Sequence, residues 1–350
     1  MDTDWFDGSP RGILSKSAIE NLRKRVATPH DYITANDGIR LFYRYWYPEN
    51  TGPEKILLCV HGFGSHGEGF NVLAEKLNPR GIGVIAIDQR GHGLSDGVRG
   101  DVEDFSLFME DLDVMVDAIS ERHKEIPIFT LGESLGGVIA IIYAAQKRDK
   151  LSGMVLAAAG LKENSKSILK VLLMQPAILL GILFPRAMMV DLVRNWSMAN
   201  RMPENVQAMK DDPLLLRRAC VHFFMAIAKY HKKIFTHYVG RINIPTLILQ
   251  GGADVLVSPE GGAKIFPGIK SGRQGTENVR QSLSWTVCRP HDRGSSGSSG
   301  EMDERPLKVK RRSLFHSGDG LPEAAYAASM MRIACSPSRP VAAKSGPSPK

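Results

Sequence analysis

The segment Leu131 to Gly137 (LGESLGG) lies between an apolar run, Ile126 to Leu131, and a second run of helical character, Val138 to Ala145. A Gly-x-Ser-x-Gly at the junction of a strand and a helix demands a sharp turn. Its glycines leave room for strained backbone, and the serine hydroxyl is lifted clear of the sheet. The pentapeptide alone is common in loops; the strand-turn-helix context is what makes Ser134 a candidate nucleophile.

The surrounding pattern agrees. Tyr32 to Thr34 and Ile39 to Tyr47 flank Asp37-Gly38, a hairpin signal. Apolar runs at Lys55–Val60, Gly83–Ile87 and Gly153–Ala158 read as strands, and helical spacing recurs at Phe70–Leu77 and Phe105–Arg122. This alternation predicts an α/β fold, a mostly parallel sheet with helices on both faces. It stops at Gly160 and resumes at Ile244–Gln250, enclosing about eighty residues of helical character, read as a cap over the site. The expected organisation is an N-terminal extension (1–29), a first core part (30–160), a helical cap (161–240) and a second core part (241–266). Within the cap, Val171 to Phe184 is strongly apolar but interrupted by Gln175 and Pro176, too short to span a bilayer. It reads either as a helix pair packed on the core or as an apolar lid that makes transient contact with a membrane surface.

Composition changes at residue 267. Residues 267–350 hold 14 Lys/Arg against 7 Asp/Glu, and only 11 of these 84 residues are Ile, Leu, Val or Phe, whereas 31 are Ser, Gly or Pro. That segment cannot bury enough apolar surface to offset its chain entropy, so a disordered tail is expected. The body carries 31 Lys/Arg against 30 Asp/Glu, so +7 of the net charge of +8 lies in the tail and the charge does not argue for nucleic-acid binding. Cys59, Cys220, Cys288 and Cys335 lack metal-ligand spacing, and Cys59 reads as a reduced core residue. No phosphate-cradling glycine loop is present, so no cofactor is expected. Met1 to Trp5 lacks the start of a leader peptide, which leaves a cytoplasmic location, with or without peripheral membrane contact, as the expectation.

An activated serine requires a histidine base, an acid that orients it and an oxyanion hole, in the chain order Ser, Asp, His on this fold. Asp254, in the glycine-rich turn after the resumed strand, is the candidate acid. The backbone N–H groups of Phe63 and Leu135 are the candidate oxyanion donors. The segments HGFGSHGEGF (61–70), DQRGHGLSDGVRG (88–100), LGESLGG (131–137) and LILQGGADVLVSPEGG (247–262) resemble the monoacylglycerol lipase and lysophospholipase group of α/β-hydrolases over residues 30–266. The resemblance implies a cofactor-free serine esterase with a mobile cap, acting on monoacylglycerols, lysophospholipids or similar esters. It also implies that His92 belongs to a structural turn. The different-class alternative is an inactive hydrolase-fold protein that binds an acyl ligand.

The resemblance implies a histidine about thirty residues after Asp254, followed by glycine, at the end of a last strand. No histidine stands there. His291 and His316 lie 37 and 62 residues beyond Asp254, the first beside a Gly/Ser linker, while His222, His231 and His237 precede the acid. The genetic code offers an explanation. Trp285 has the single codon TGG and Thr286 begins with A, so one base along the reading is forced to GGA, glycine. Codons also exist with which GRQGTENVRQSLSWTV (272–287) reads ADKELKMFDKAYHGLY in that frame. The expectation is a frame change near residue 270 that removed the last strand, the histidine and the last helix; the rival is a divergent C-terminus.

Overall fold

A computed structural model describes residues 14–147, 149–161, 183–186, 189–192, 203–250, 254 and 256–265. The strands are β1 (His30–Thr34), β2 (Arg40–Trp46), β3 (Lys55–Val60), β4 (Ile82–Ile87), β5 (Ile128–Glu133), β6 (Gly153–Ala157), β7 (Met189–Asp191), β8 (Arg218–Cys220) and β9 (Thr246–Leu249). Seven of them form one sheet in the order β1-β2-β4-β3-β5-β6-β9, antiparallel through β1, β2 and β4 and parallel from there to β9. The hairpin closes where its sequence signal placed it, with Ala35 N–H donating to Ile39 O and Gly38 N–H to Ala35 O. The strand before Ser134 sits two residues later than its apolar run suggests, because the ladder with β3 carries it through Gly132.

Helices cover both faces. α1 (Lys16–Arg23) opens the chain, followed by α2 (Asn71–Leu77), α3 (Ser106–Arg122) and α4 (Leu135–Gln146). α2 lays Leu73, Ala74 and Leu77 on Leu57, Cys59, Val84 and Ala86. On the opposite face α3 and α4 bring Leu112, Val116, Val138 and Ile142 to Ile56, Leu58 and Ile85. α4 is buried from Leu135 to Ala145, which is why its sequence is apolar all round rather than in a stripe. The Cys59 thiol is fully buried, and that burial raises its pKa.

One ion pair ties the antiparallel edge to the parallel core. Arg44 on β2 is completely buried, and its Nη1 donates to Asp88 Oδ1 and Oδ2 at 3.0 and 3.2 Å. Asp88 also accepts the Gly67 and Leu94 N–H groups at 2.6 and 2.8 Å. Burial opposes its ionisation, but Arg44, His66 and these amides outweigh it, and its pKa is held below the usual value.

Two segments depart from expectation. The N-terminal extension contains α1, capped by Ser15 Oγ accepting Ala18 N–H and docked by Arg23, which donates to Leu94 O and Asp96 Oδ1. The cap is not purely helical: beside α5 (Pro203–Asp211) and α6 (Val221–His231), β7 and β8 pair antiparallel. Strands of three residues are too short to show a period of two in sequence. Beyond β9 comes α7 (Pro259–Ile265). Residues 266–350, with the expectations of a disordered tail and a missing last strand and helix, lie outside the described residues, as does most of the apolar stretch 171–184.

Replacing Arg44 by Ala strands the Asp88 charge in the core and is expected to cost about 3–5 kcal/mol of unfolding free energy. Urea denaturation checks this; a loss under about 1 kcal/mol would mean that the amides alone sustain Asp88.

Candidate active site

β5 ends at Glu133, and Ser134 turns the chain into α4 with φ 50° and ψ −111°, a left-handed conformation that a non-glycine residue adopts only when its surroundings impose it. The two glycines of the motif permit the approach. A Cβ on Gly132 would lie 2.4 Å from Gly136 O, and one on Gly136 would lie 2.1 Å from Val60 O. The serine backbone is then fixed on both sides. Its N–H donates to Ala157 O at 2.9 Å, and its carbonyl accepts the N–H groups of Gly137, Val138 and Gly160.

The loop after β3 passes beside this turn, with Gly62 so near that an added Cβ would stand 3.3 Å from Ser134 Cβ. Gly62 O accepts His61 Nδ1–H at 2.8 Å and Ser65 N–H at 3.2 Å. Gln89 N–H donates to His61 Nε2 at 3.0 Å, which fixes that tautomer. Burial pushes the His61 pKa down to about 4, so the ring is neutral at neutral pH. A trans peptide whose carbonyl is pinned this way aims the N–H of Phe63 oppositely. Among the described residues no acceptor takes the N–H of Phe63 or of Leu135. The Phe63 ring meets Phe223 and Phe224 of α6, with centroids 4.9 and 5.2 Å away, so cap aromatics roof the loop.

Asp254 follows β9. The register Glu133↔Ala157↔Leu249 runs across β5, β6 and β9, so Ser134 and Gln250 leave the sheet at the same edge. Asp254 Oδ1 accepts Leu256 and Val257 N–H, each at 2.9 Å, whereas among the described residues Oδ2 has only Gln250 Nε2, at 3.5 Å. One carboxylate oxygen is thus anchored by its own turn, and the other has a single long contact among the described residues.

The described histidines are engaged elsewhere. His92 is buried with Nδ1 on Arg90 O, and burial pushes its pKa down to about 3, in keeping with a structural turn. His222 bonds Asp101 at 2.8 Å, His231 bonds Gly160 O at 2.7 Å and His237 bonds Thr236. His30 and His123 bond Thr28 O and the Tyr47 hydroxyl. Among the described residues no histidine bonds Ser134 or Asp254; His291 and His316 lie outside them. Nor does any group of side chains there have the makings of a metal site.

Sequence reading missed the polar seam that seats the cap. On one side His66 Nε2 lies 2.9 Å from Asp212 Oδ2, Leu216 N–H donates to Gly64 O, and Arg99 reaches Leu214 O. On the other, Asp101 takes His222 and Asp104 takes the Tyr230 hydroxyl at 2.9 Å and Lys229 at 3.2 Å. Partners more than a hundred residues apart leave no local signature.

Residues 51–278 match the Hydrolase_4 family, described as serine aminopeptidase, S33. The chain is 34% identical over 242 residues to the mouse monoglyceride lipase, covering 67% of this chain and 76% of that protein. It is similar in structure to the Paleococcus ferrophilus monoacylglycerol lipase, with a TM-score of 0.56 and 29% identity over 66% of this chain and 85% of that one. It shares its fold with a soluble variant of the Saccharomyces cerevisiae monoglyceride lipase in complex with a substrate analogue, with a TM-score of 0.61 and 24% identity over 71% and 85% of the two chains.

Burial opposes the charge on His66, but Asp212 outweighs it and raises the pKa above the ordinary histidine value of 6.5. A raised folded pKa gives stability that is complete below the unfolded value and fades as pH climbs through the folded one. The 212–216 segment should therefore show hydrogen exchange, corrected for intrinsic rate, that accelerates on the alkaline side. Asp212→Asn should exchange fast already at pH 6. PH-independent protection of the native segment would contradict the role of this pair.

Proposed function

The chain belongs to the Hydrolase_4 family of α/β-hydrolases, alongside the monoglyceride lipases, which are carboxylic ester hydrolases, and from that membership we propose that it is built as a serine esterase. In this reading Ser134 Oγ attacks the ester carbonyl, and the Phe63 and Leu135 N–H groups receive the oxyanion. The intermediate collapses with expulsion of the alcohol, which takes up the proton from Ser134 Oγ, and water then hydrolyses the acyl-serine to the free acid. In an intact triad Asp254 Oδ2 would orient the histidine that relays these protons. The observation that carries the reading is a strained serine beside two unclaimed amides, at the sheet edge that also bears an aspartate with one oxygen in a single long contact among the described residues.

The substrate class is a single-chain acyl ester, a monoacylglycerol or lysophospholipid. The mouse relative's name and the aromatic roof of Phe63, Phe223 and Phe224 support it. Leu183 and Phe184 in the cap are 73% and 60% exposed, which supports transient contact of the cap with a lipid surface. The proposed setting is cytoplasmic with peripheral membrane contact, and neither a cofactor nor nucleic acid enters the reading. Among the described residues no helix is long and apolar enough to cross a membrane.

With no base among the described residues, the Ser134 hydroxyl is expected to stay protonated and the chain to be an impaired enzyme. Turnover of p-nitrophenyl esters is expected about 10⁴- to 10⁶-fold below that of an intact triad. Rates of an ordinary esterase, lost in Ser134→Ala, would overturn that impairment. The lack of any described histidine on Ser134 or Asp254 also favours a second reading, an acyl-binding protein. A fluorophosphonate probe separates the two: labelling that depends on Ser134 supports the esterase. Absence of labelling, together with saturable displacement of a bound fluorescent fatty acid, supports the binding protein.

A further inference from the structure

β9 is the outermost strand of the sheet among the described residues. β6, one place inward, is buried at every position, whereas Thr246, Leu247 and Ile248 of β9 are only half-buried. The face that holds α2 shows the same incompleteness, with Phe129 and Leu247 at its margin only partly covered. Among the described residues no strand pairs the outer edge of β9, and its half-covered apolar side chains suit an interior strand with a further neighbour.

Ile265 of α7 is buried in the core on the α3 and α4 face. A parallel strand followed by a helix on this face repeats the steps from β4 through α3 to β5 and from β5 through α4 to β6. Right-handed crossover from β9 through α7 therefore delivers the next strand beside β9, at the open edge. The C-terminal end of that strand comes out at the edge that carries Ser134 and Asp254. A histidine there, after the acid in chain order, is what Asp254 Oδ2 is placed to orient.

Residues 266–287 as written do not provide such a strand ending in histidine, but their codons constrain what the neighbouring frame spells. One base along, Gln274-Gly275 must give Lys or Arg, and Glu277-Asn278 must again give Lys or Arg. Asn278-Val279 must give Met or Thr, and Trp285-Thr286 must give Gly. If Ser284 uses a TCN codon, the codon before that glycine has the form CNT, which includes CAT for histidine. Thr276-Glu277 takes the form CNG, which includes CTG for leucine, and Leu283 before a TCN serine takes the form TNT, which includes TAT for tyrosine. That histidine would stand 30 positions after Asp254, with the strand immediately before it. The composition break at residue 267, and a family match that ends at residue 278 of 350, fall in the same short interval.

We infer that the gene encodes the missing edge strand and the catalytic histidine one base out of frame, and that the C-terminus of this chain is the product of a one-base insertion, or its two-base-deletion equivalent, between codons 266 and 274. The inference rests on the esterase reading for the role of the histidine, but not for the existence of the frame change. Removing one base restores a sheet of eight strands, with the histidine following the eighth.

Two measurements test the two parts separately. Sequencing of the gene across codons 260–300 is expected to show, one base along, an open frame with an alternating strand and His-Gly at codons 284–286. It should continue without a stop for at least the length of a helix, roughly a dozen codons. A stop, or any codon other than histidine before the glycine, overturns the frame change whatever the chain does. The chain expressed from the restored frame should then label with a fluorophosphonate at Ser134 and hydrolyse p-nitrophenyl butyrate at least about 10³-fold faster than the full chain as written. Replacing the recovered histidine by Ala should abolish the gain without altering the thermal unfolding midpoint. A restored, folded chain with no gain would overturn the histidine's catalytic role while leaving the frame change intact.

Discussion

The site depends on the contact between the start of α4 and the end of β3. Gly136 passes so close to Val60 O that a single added carbon would collide with it, and that closeness sets where Ser134 can stand. From this follow the serine's left-handed backbone, its amide on Ala157 and its carbonyl shared among three N–H donors. The His61–Phe63 loop inherits its position from the same contact, since it continues β3 and must pass Ser134 at Gly62. Sheet registry, elbow and oxyanion loop are one mechanical unit; none can shift while the others stay.

The cap is attached on different terms. The core is apolar on both faces of the sheet, with buried ion pairs at Arg44–Asp88 and Arg90–Asp111. The cap instead meets it through the Phe63, Phe223 and Phe224 cluster, flanked by titratable pairs at His66–Asp212 and around Asp101 and Asp104. The exposed pairs among them, such as Lys229 with Asp104, are individually weak and sensitive to salt, while the fully buried Phe223 seats α6 in the apolar core.

The parts legible in the sequence were those governed by short-range rules. Repeated apolar runs of strand length, the Asp37-Gly38 turn and the glycines around Ser134 each state their conformation within a few residues, and the sheet follows from their alternation. Asp254 could be singled out as the candidate acid because a strand immediately precedes it. The pieces that were not legible depend on distant partners. α1 looks like a polar extension because its anchor, Arg23, finds Leu94 and Asp96 some seventy residues away. β7 and β8 hold three residues apiece and are strands only because they pair with each other across the cap.

The proposed frame change would confine any disruption of the site to one side of a single boundary. A residue held at φ 50° stores strain on the order of 1–3 kcal/mol, which a protein without use for the serine could shed by substitution at several positions. Every described element before residue 266 still serves that strained turn: the close glycines, the pinned Gly62 carbonyl, the unclaimed amides and the half-committed Asp254 carboxylate. Gradual loss of function would loosen these contacts wherever they lie. What changes instead is the composition, at one point near residue 267. That break fits the proposed change in how the message is read.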